Sequence, residues 1–353
     1  MQRLLDYLKI CEKRCAEYIN SYNTDNIKPE ELKVGALEYF SRGGKRLRPA
    51  LLSLSAGAMG GKERELAVTP AMVSVELFHT FTLVHDDIID NDDTRRGGKS
   101  VHILIKDMMK SEEYGRDIAI LAGDTLHALS TSMLLECANS KLFSPRTVIE
   151  VTKLLEGYCI NELLAGEAVD TRMGILKGES FDVGTSDATL EVMTQKTGVL
   201  FEYSAMAGAM LGLDTFDAKN KDVRALGKFA KLSGIAFQIK DDILGIVSDQ
   251  KTLGKPIGSD IREGKKTLVL QEAYKNATDS EKALIEKTVG NDCANENDIE
   301  EVRGIFISKG IEKAEATADT YIKESLNALD NIRDSEYKEL LRLMSEFMMS
   351  RKK

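Results

Sequence analysis

Between Val84 and Gly98 the chain reads VHDDIIDNDDTRRGG. Asp86 and Asp90 lie four residues apart, so on a helix they share one face, with Asp87 beside them. Such a row repels itself, and it follows the apolar run ELFHTFTLV, which points the helix end into a cleft. A hard divalent cation relieves the repulsion; Mg2+ is preferred because it shares carboxylate oxygens with phosphate and water. The bland alternative is a solvated helix end, and a bare DDxxD string arises by chance roughly 0.1 times in a chain of this length. A second acidic pair, Asp241 and Asp242, closes another apolar stretch, GIAFQIKDDILGI, with Gln238 one turn upstream on the same face. Two acid clusters at the ends of apolar helices are poorly explained as surface decoration.

Cations accompany the acids. RGGKRLRP carries Arg42, Lys45, Arg46 and Arg48 behind the Gly43-Gly44 turn, and Arg95-Arg96 precede Gly97-Gly98. Glycine beside cations lets backbone approach phosphate, while arginine supplies bidentate forks and lysine point charges. Lys196, Lys240, Lys255 and Lys265 are further candidates near the second cluster, although any single lysine is more often a solvated surface residue. Two diphosphates would bring about six negative charges. Several Mg2+ ions between acid rows and phosphate oxygens, with Lys and Arg covering the rest, leave such a cleft nearly neutral and able to close away from water.

These groups need long helices to hold them. Only five prolines interrupt 353 residues, and Ala, Leu, Lys, Glu and Met fill the stretches between, so the chain is expected to be all-α, with no sheet of consequence. Helical spacing is read over about 32–40, 47–59, 68–89, 117–137, 145–173, 188–211, 221–247, 265–273, 280–289, 299–329 and 334–349. Without a linker, composition shift or repeat, one domain over 1–353 is the simplest organisation. The net charge of −9 argues against a sequence-independent nucleic-acid binder. The five scattered cysteines, lacking CxxC spacing, read as free thiols in a reducing cytosol. The first residues lack a long apolar core and no run of 18 apolar residues occurs, so a cytoplasmic protein without a membrane span is expected.

In order, GGKRLRP, ELFHTFTLVHDDIIDNDDTRRGG, AGD, GEAVD, KTG, FQIKDDILGI and LGKPIGSDIREGKKT resemble the trans-isoprenyl diphosphate synthase family, specifically its archaeal short-chain geranylgeranyl type, across nearly the whole chain. The resemblance implies an all-helical isoprenoid synthase bundle around a central cavity, a homodimer, and about three Mg2+ ions per site when substrate is bound. Asp86, Asp87 and Asp90 match the first metal motif, Asp86 and Asp90 being the principal ligands; Asp241 matches the ligand of the second, with Asp242 its neighbour. Arg95, Lys196 and Lys255 match groups that bind the allylic diphosphate, with Thr197 and Gln238 lining that site and Lys265 nearby. Lys45, Arg48, His79 and Arg96 match the isopentenyl diphosphate site. The implied chemistry is head-to-tail condensation: the allylic C–O bond ionises, the isopentenyl double bond attacks the cation, and a proton leaves to the departed diphosphate. Asp86, Asp90, Arg95, Lys196, Asp241 and Lys255 are thereby the residues expected to carry catalysis. No side-chain nucleophile is required, and His85 and His127 read as packed or hydrogen-bonded.

The chain departs from the family pattern in places. Gly245 stands where many members have the last aspartate of the second motif, leaving Asp249 or Asp260 to contribute through water. Glu167 replaces a neutral glutamine in GEAVD, and Ser100 a frequent proline. Phe81 lies five residues before Asp86, roughly 7.5 Å along the helix axis, and with Phe78 one turn below and the small Thr82 beside it could floor a product tunnel at C20; the alternative is ordinary core. Products of C15 or C25 are the near competitors. A silent subunit of a heteromeric synthase would be expected to lose acids or cations from these motifs. A class I terpene cyclase has no second diphosphate to employ Lys45, Arg48, His79 and Arg96. The basic end SRKK has no assigned role.

Overall fold

Proline marks where helices begin rather than interrupting them, because a first-turn residue needs no amide hydrogen. Pro29 precedes one helix, Pro49 stands in the first turn of the next, and Pro70 and Pro145 open two more. The computed structural model describes residues 1–175, 182–247, 259–291 and 293–350. Lys255, Asp249 and the last three residues, which end SRKK, lie outside them.

In chain order the helices are α1 (Gln2–Ser21), α2 (Glu30–Ser41), α3 (Leu47–Ala67), α4 (Thr69–Ile89), α5 (Val101–Met109), α6 (Glu112–Leu135), α7 (Pro145–Lys153), α8 (Ile160–Ile175), α9 (Ser186–Met193) and α10 (Val199–Leu213). They continue as α11 (Lys221–Val247), α12 (Ser259–Glu263), α13 (Leu268–Asn276), α14 (Asp279–Thr288), α15 (Glu296–Lys309), α16 (Ile311–Leu329) and α17 (Glu336–Met349). The expected helices over 145–173 and 188–211 each contain a widened π segment, Leu154–Cys159 and Thr194–Gly198, and the expected stretch 299–329 breaks at Gly310, where a Cβ would stand 2.3 Å from the Val269 carbonyl oxygen. Between α4 and α5, Thr94–Arg95 pairs antiparallel with Gly98–Lys99. Its turn residues Arg96 (φ 51°) and Gly97 (φ 74°) both take the left-handed conformation that suits a two-residue hairpin.

Packing divides the described residues into two units. The first comprises Met1–Glu156, Tyr203–Gly227 and Ile332–Leu343. At its centre α4 lies along α6, with α3 against α4 and α2 and α5 against α6. Met72, Leu77, Phe78, Leu51, Leu52 and Leu126 are fully or almost fully buried there. The helix α1 is pinned by a buried carboxylate: Glu65 accepts hydrogen bonds from Tyr7 and Ser53, each at 2.9 Å, and pairs with Arg14. Glu112–Asn139 is long and apolar enough to cross a membrane, but the α6 helix within it is a core helix of this unit, packed against α2, α4 and α5.

The second unit comprises Gly157–Glu202, Lys228–Asn331 and Met344–Lys353. Its core gathers Ile235, Ile239, Ile243, Leu268, Val302 and Phe306 from α11, α13 and α15. Ser233 hydrogen-bonds both Ser325, at 2.6 Å, and Ser345, at 3.2 Å, tying α11 to α16 and α17.

Candidate active site

In the first unit, the acid row ends α4. The amide of Asp90 caps the helix on the Asp86 carbonyl at 2.8 Å, which fixes Asp86 and Asp90 one turn apart, Asp86 partly buried and Asp90 exposed. Asp87 turns the other way and is 0% exposed. One of its oxygens accepts Arg95 Nε at 2.6 Å and the other the Tyr39 hydroxyl, which in turn accepts the Val101 amide at 2.9 Å. Burial pushes the Asp87 carboxyl up, and the Arg95 charge and these hydrogen bonds work against it. The sequence reading grouped Asp87 with the metal ligands. In the structure Asp87 holds Arg95, which also reaches Asp86 at 3.3 Å and Asp92 at 3.2 Å.

The two cation loops meet at a carboxylate that the sequence reading passed over. Glu76 accepts from Arg46 and, at 3.2 Å, from Arg96. Arg96 also donates to the carbonyls of Tyr39 at 2.8 Å and Gly43 at 3.0 Å, and Arg42 donates to the Arg95 carbonyl at 2.8 Å. Arg48 donates to His79 Nε2 at 3.1 Å. Burial, then the Arg48 and Arg96 charges, hold the His79 imidazole well below its ordinary value. It is therefore neutral, with Nε2 as acceptor and its proton on Nδ1. Lys45 is exposed on the same loop. Tyr39 and Glu76 were missed because each sits singly in an ordinary helical stretch; the only available signal was an acid inside an apolar helix, AMVSVELF.

In the second unit, the π segment between α9 and α10 presents Lys196 and Thr197. Lys196 lies 2.8 Å from Glu167 and 2.7 Å from Asp170, one turn apart on α8. Gly166 permits that approach: a Cβ there would stand 2.9 Å from the Lys196 amide nitrogen. The Thr197 hydroxyl donates to Gln238 at 2.9 Å, and Gln238 donates to Asp242 at 2.9 Å. Asp242, 6% exposed, is pushed up to about 7 by burial, with Asp260 and Asp241 adding to the effect and Lys265 opposing it. Loss of water around the Lys265 ammonium lowers its affinity for a proton, but Asp260 and Asp242 more than reverse this and hold it above the lysine range. Asp241 is partly buried at the end of α11. Lys240 is occupied away from these groups, pairing with Glu315 at 2.9 Å.

Gly245 now has a steric reason. A Cβ at this position would stand 2.7 Å from Asp260 Oδ2, so the missing carboxylate of the second row leaves room for one arriving from α12.

Among the described residues no three His, Cys, Asp or Glu side chains stand together as a self-sufficient metal cage. That fits Mg2+ shared with phosphate oxygens, since this ion keeps waters and takes only one or two protein carboxylates. Asp86 and Asp90, one turn apart at the end of α4, present such a pair.

The polyprenyl synthetase family model matches residues 30–306. The chain is 36% identical to the geranylfarnesyl diphosphate synthase of Aeropyrum pernix, over 93% of this chain and 96% of that protein. It is 34% identical to the geranylgeranyl diphosphate synthase of Sulfolobus acidocaldarius, over 96% and 95%. The structure of geranylgeranyl pyrophosphate synthetase from Pyrococcus horikoshii aligns with a TM-score of 0.82 at 33% identity, covering 99% of this chain and 98% of that one. The family match spans both acid-bearing helices, and the solved relative shares the all-α isoprenoid synthase fold, so the chain belongs to the polyprenyl synthetase family and is a trans-prenyltransferase.

Proposed function

We propose that the protein joins isopentenyl diphosphate head to tail to allylic diphosphates in a Mg2+-dependent reaction, as one polyprenyl synthase domain that acts in the cytoplasm as a homodimer. The observation that carries the reading is the end of α4, where Asp86 and Asp90 share one turn while the adjacent cations are locked by buried acceptors: Arg95 by Asp87, Arg96 by Glu76. A preorganised cation stabilises charge as it develops without having to reorient.

Mg2+ held by Asp86 and Asp90, and by Asp241 of the second row, would neutralise diphosphate oxygens and favour departure of the leaving group. Arg95, Lys196 and Lys255 bind and orient the allylic diphosphate, with Thr197, Gln238 and Lys265 beside them. Lys45, Arg48, His79 and Arg96 take the isopentenyl diphosphate. His79, neutral and held by Arg48, offers a hydrogen bond from Nδ1 rather than a charge. The departed diphosphate receives the final proton, so no side chain needs to act as base.

Phe81, 5% exposed and packed on the fully buried Phe78, with Thr82 beside it, supports a C20 product. The Aeropyrum relative is named for a C25 product, which keeps C25 as the competitor. For the homodimer, the exposed face of α6 carries Leu121, Ala128, Ser132 and Leu135, with Ile120 alongside and the exposed Asp124 between Leu121 and Ala128.

Purified protein incubated with Mg2+, isopentenyl diphosphate and each of the C5, C10 and C15 primers tests this by mass spectrometry of the products. A dominant C20 product is expected. C25 would keep the chemistry and discard the Phe81 ruler; folded protein that condenses nothing would favour the silent-subunit reading.

A further inference from the structure

Arg95 and Arg96 are consecutive, and each leads back to the same residue of α2. Arg95 Nε is held at 2.6 Å by Asp87, whose other oxygen accepts the Tyr39 hydroxyl. Arg96 Nη1 donates to the Tyr39 carbonyl at 2.8 Å. Tyr39 is 0% exposed, and its ring lies under the Arg42 guanidinium at 5.2 Å. The Val101 amide, in the first turn of α5, can only donate, so it takes a lone pair of the phenol at 2.9 Å and leaves the phenolic proton aimed at Asp87. Burial and the Asp87 charge raise the phenol above its ordinary range, so it keeps that proton.

We infer that Tyr39 is a positioning residue with two separate duties: its hydroxyl serves the allylic diphosphate by fixing the Asp87 carboxylate that aims Arg95, and its carbonyl serves the isopentenyl diphosphate by holding Arg96. The inference rests on the proposed assignment of Arg95 and Arg96 to different diphosphates. A carboxylate has a broad torsional well about its last bond, so one partner alone leaves it free to turn. The phenol removes that freedom by taking the second oxygen. Arg95 is thereby ordered before substrate arrives, and binding does not have to order it. Changing the side chain at 39 removes only the first duty, because the carbonyl remains.

Tyr39→Phe keeps the ring and the carbonyl and loses the hydroxyl. Steady-state kinetics are expected to show KM for the allylic diphosphate raised about 3- to 10-fold, with KM for isopentenyl diphosphate and the Mg2+ concentration for half-maximal rate unchanged. Because the hydroxyl acts through Asp87, Tyr39→Phe/Asp87→Asn is expected to match Asp87→Asn in its allylic KM, whereas two independent packing defects would multiply. An allylic KM raised by Asp87→Asn and untouched by Tyr39→Phe overturns the relay alone, as does a Tyr39→Phe effect that falls on the Mg2+ dependence. A rise confined to the isopentenyl KM in both single variants overturns the assignment of Arg95 and this inference with it. Should phenylalanine beside the Asp87 carboxylate prevent folding, Asp87→Asn is compared with the double variant, in which the ring faces a neutral amide. Equal allylic KM values then uphold the relay, and a further rise in the double variant overturns it.

Discussion

Asp87 stands in the acid row of α4 and is engaged by Tyr39 and Arg95. It is fully buried between Tyr39 and Arg95, so its charge is balanced by one guanidinium and one hydroxyl. Charge-assisted hydrogen bonds contribute about 1.5–3 kcal/mol each. Asp87→Asn is expected to raise KM for the allylic diphosphate by roughly 10-fold or more, while the Mg2+ concentration for half-maximal rate moves less than in Asp90→Asn. Steady-state titrations of substrate and metal separate the two effects.

His79 makes a second residue-scale prediction. Burial and its arginine neighbours hold it below the ordinary 6.5, so between the two values the unfolded chain binds a proton that the folded chain refuses. Its share of stability is full above the ordinary value and is lost as pH falls. Urea unfolding at pH 7.5 and 5.5 should show wild type losing more stability on acidification than His79→Gln. Equal losses would mean that His79 titrates normally.

At the scale of elements, close approach of helices decides what each acid row can carry. On α11, Gly245 admits the Asp260 carboxylate from α12. A side chain at 245 would push the end of the Asp260 side chain aside, and an aspartate there would set a second carboxylate against it. Gly245→Asp, which completes the family motif on paper, is therefore expected to lower both the melting temperature and the activity of this chain. A gain in either would contradict that account. On α8, Glu167 shares Lys196 with Asp170. Partly exposed pairs of this kind contribute about 0.2–1 kcal/mol, so Glu167→Gln should free some of the lysine's attraction and lower KM for the allylic diphosphate a few-fold.

What could be read from the sequence follows the same division. Asp86, Asp90, Arg95 and Arg96 lie within eleven residues, and local spacing marks them as one group. Most helices are legible because their apolar period is local as well. Tyr39 and Glu76 are single residues brought in from elsewhere by packing, and local pattern does not reveal them. The π segments that carry Leu154–Cys159 and Thr194–Gly198 are invisible to a period count, since one widened turn barely shifts it.

For the whole molecule, the exposed face of α6 is the feature most open to test. Stable homodimers bury on the order of 800 Å² or more per partner, and their fully buried centres are depleted in charged residues. If α6 carries the contact of the proposed homodimer, Leu121→Glu, at a position 50% exposed in the chain, is expected to halve the mass measured in solution by light scattering. An unchanged mass would place the contact elsewhere.

The meeting of Arg46 and Arg96 on Glu76 also bears on recombination between relatives. Two loops some fifty residues apart in sequence are fastened to one buried side chain, and Arg96 reaches the backbone of both Tyr39 and Gly43. A chimera with its crossover between residues 46 and 96 would join halves fitted to different partners. The stretch from Tyr39 to Arg96 is thus one fitted unit, and swaps that respect its borders should yield folded hybrids more often than swaps that cut it.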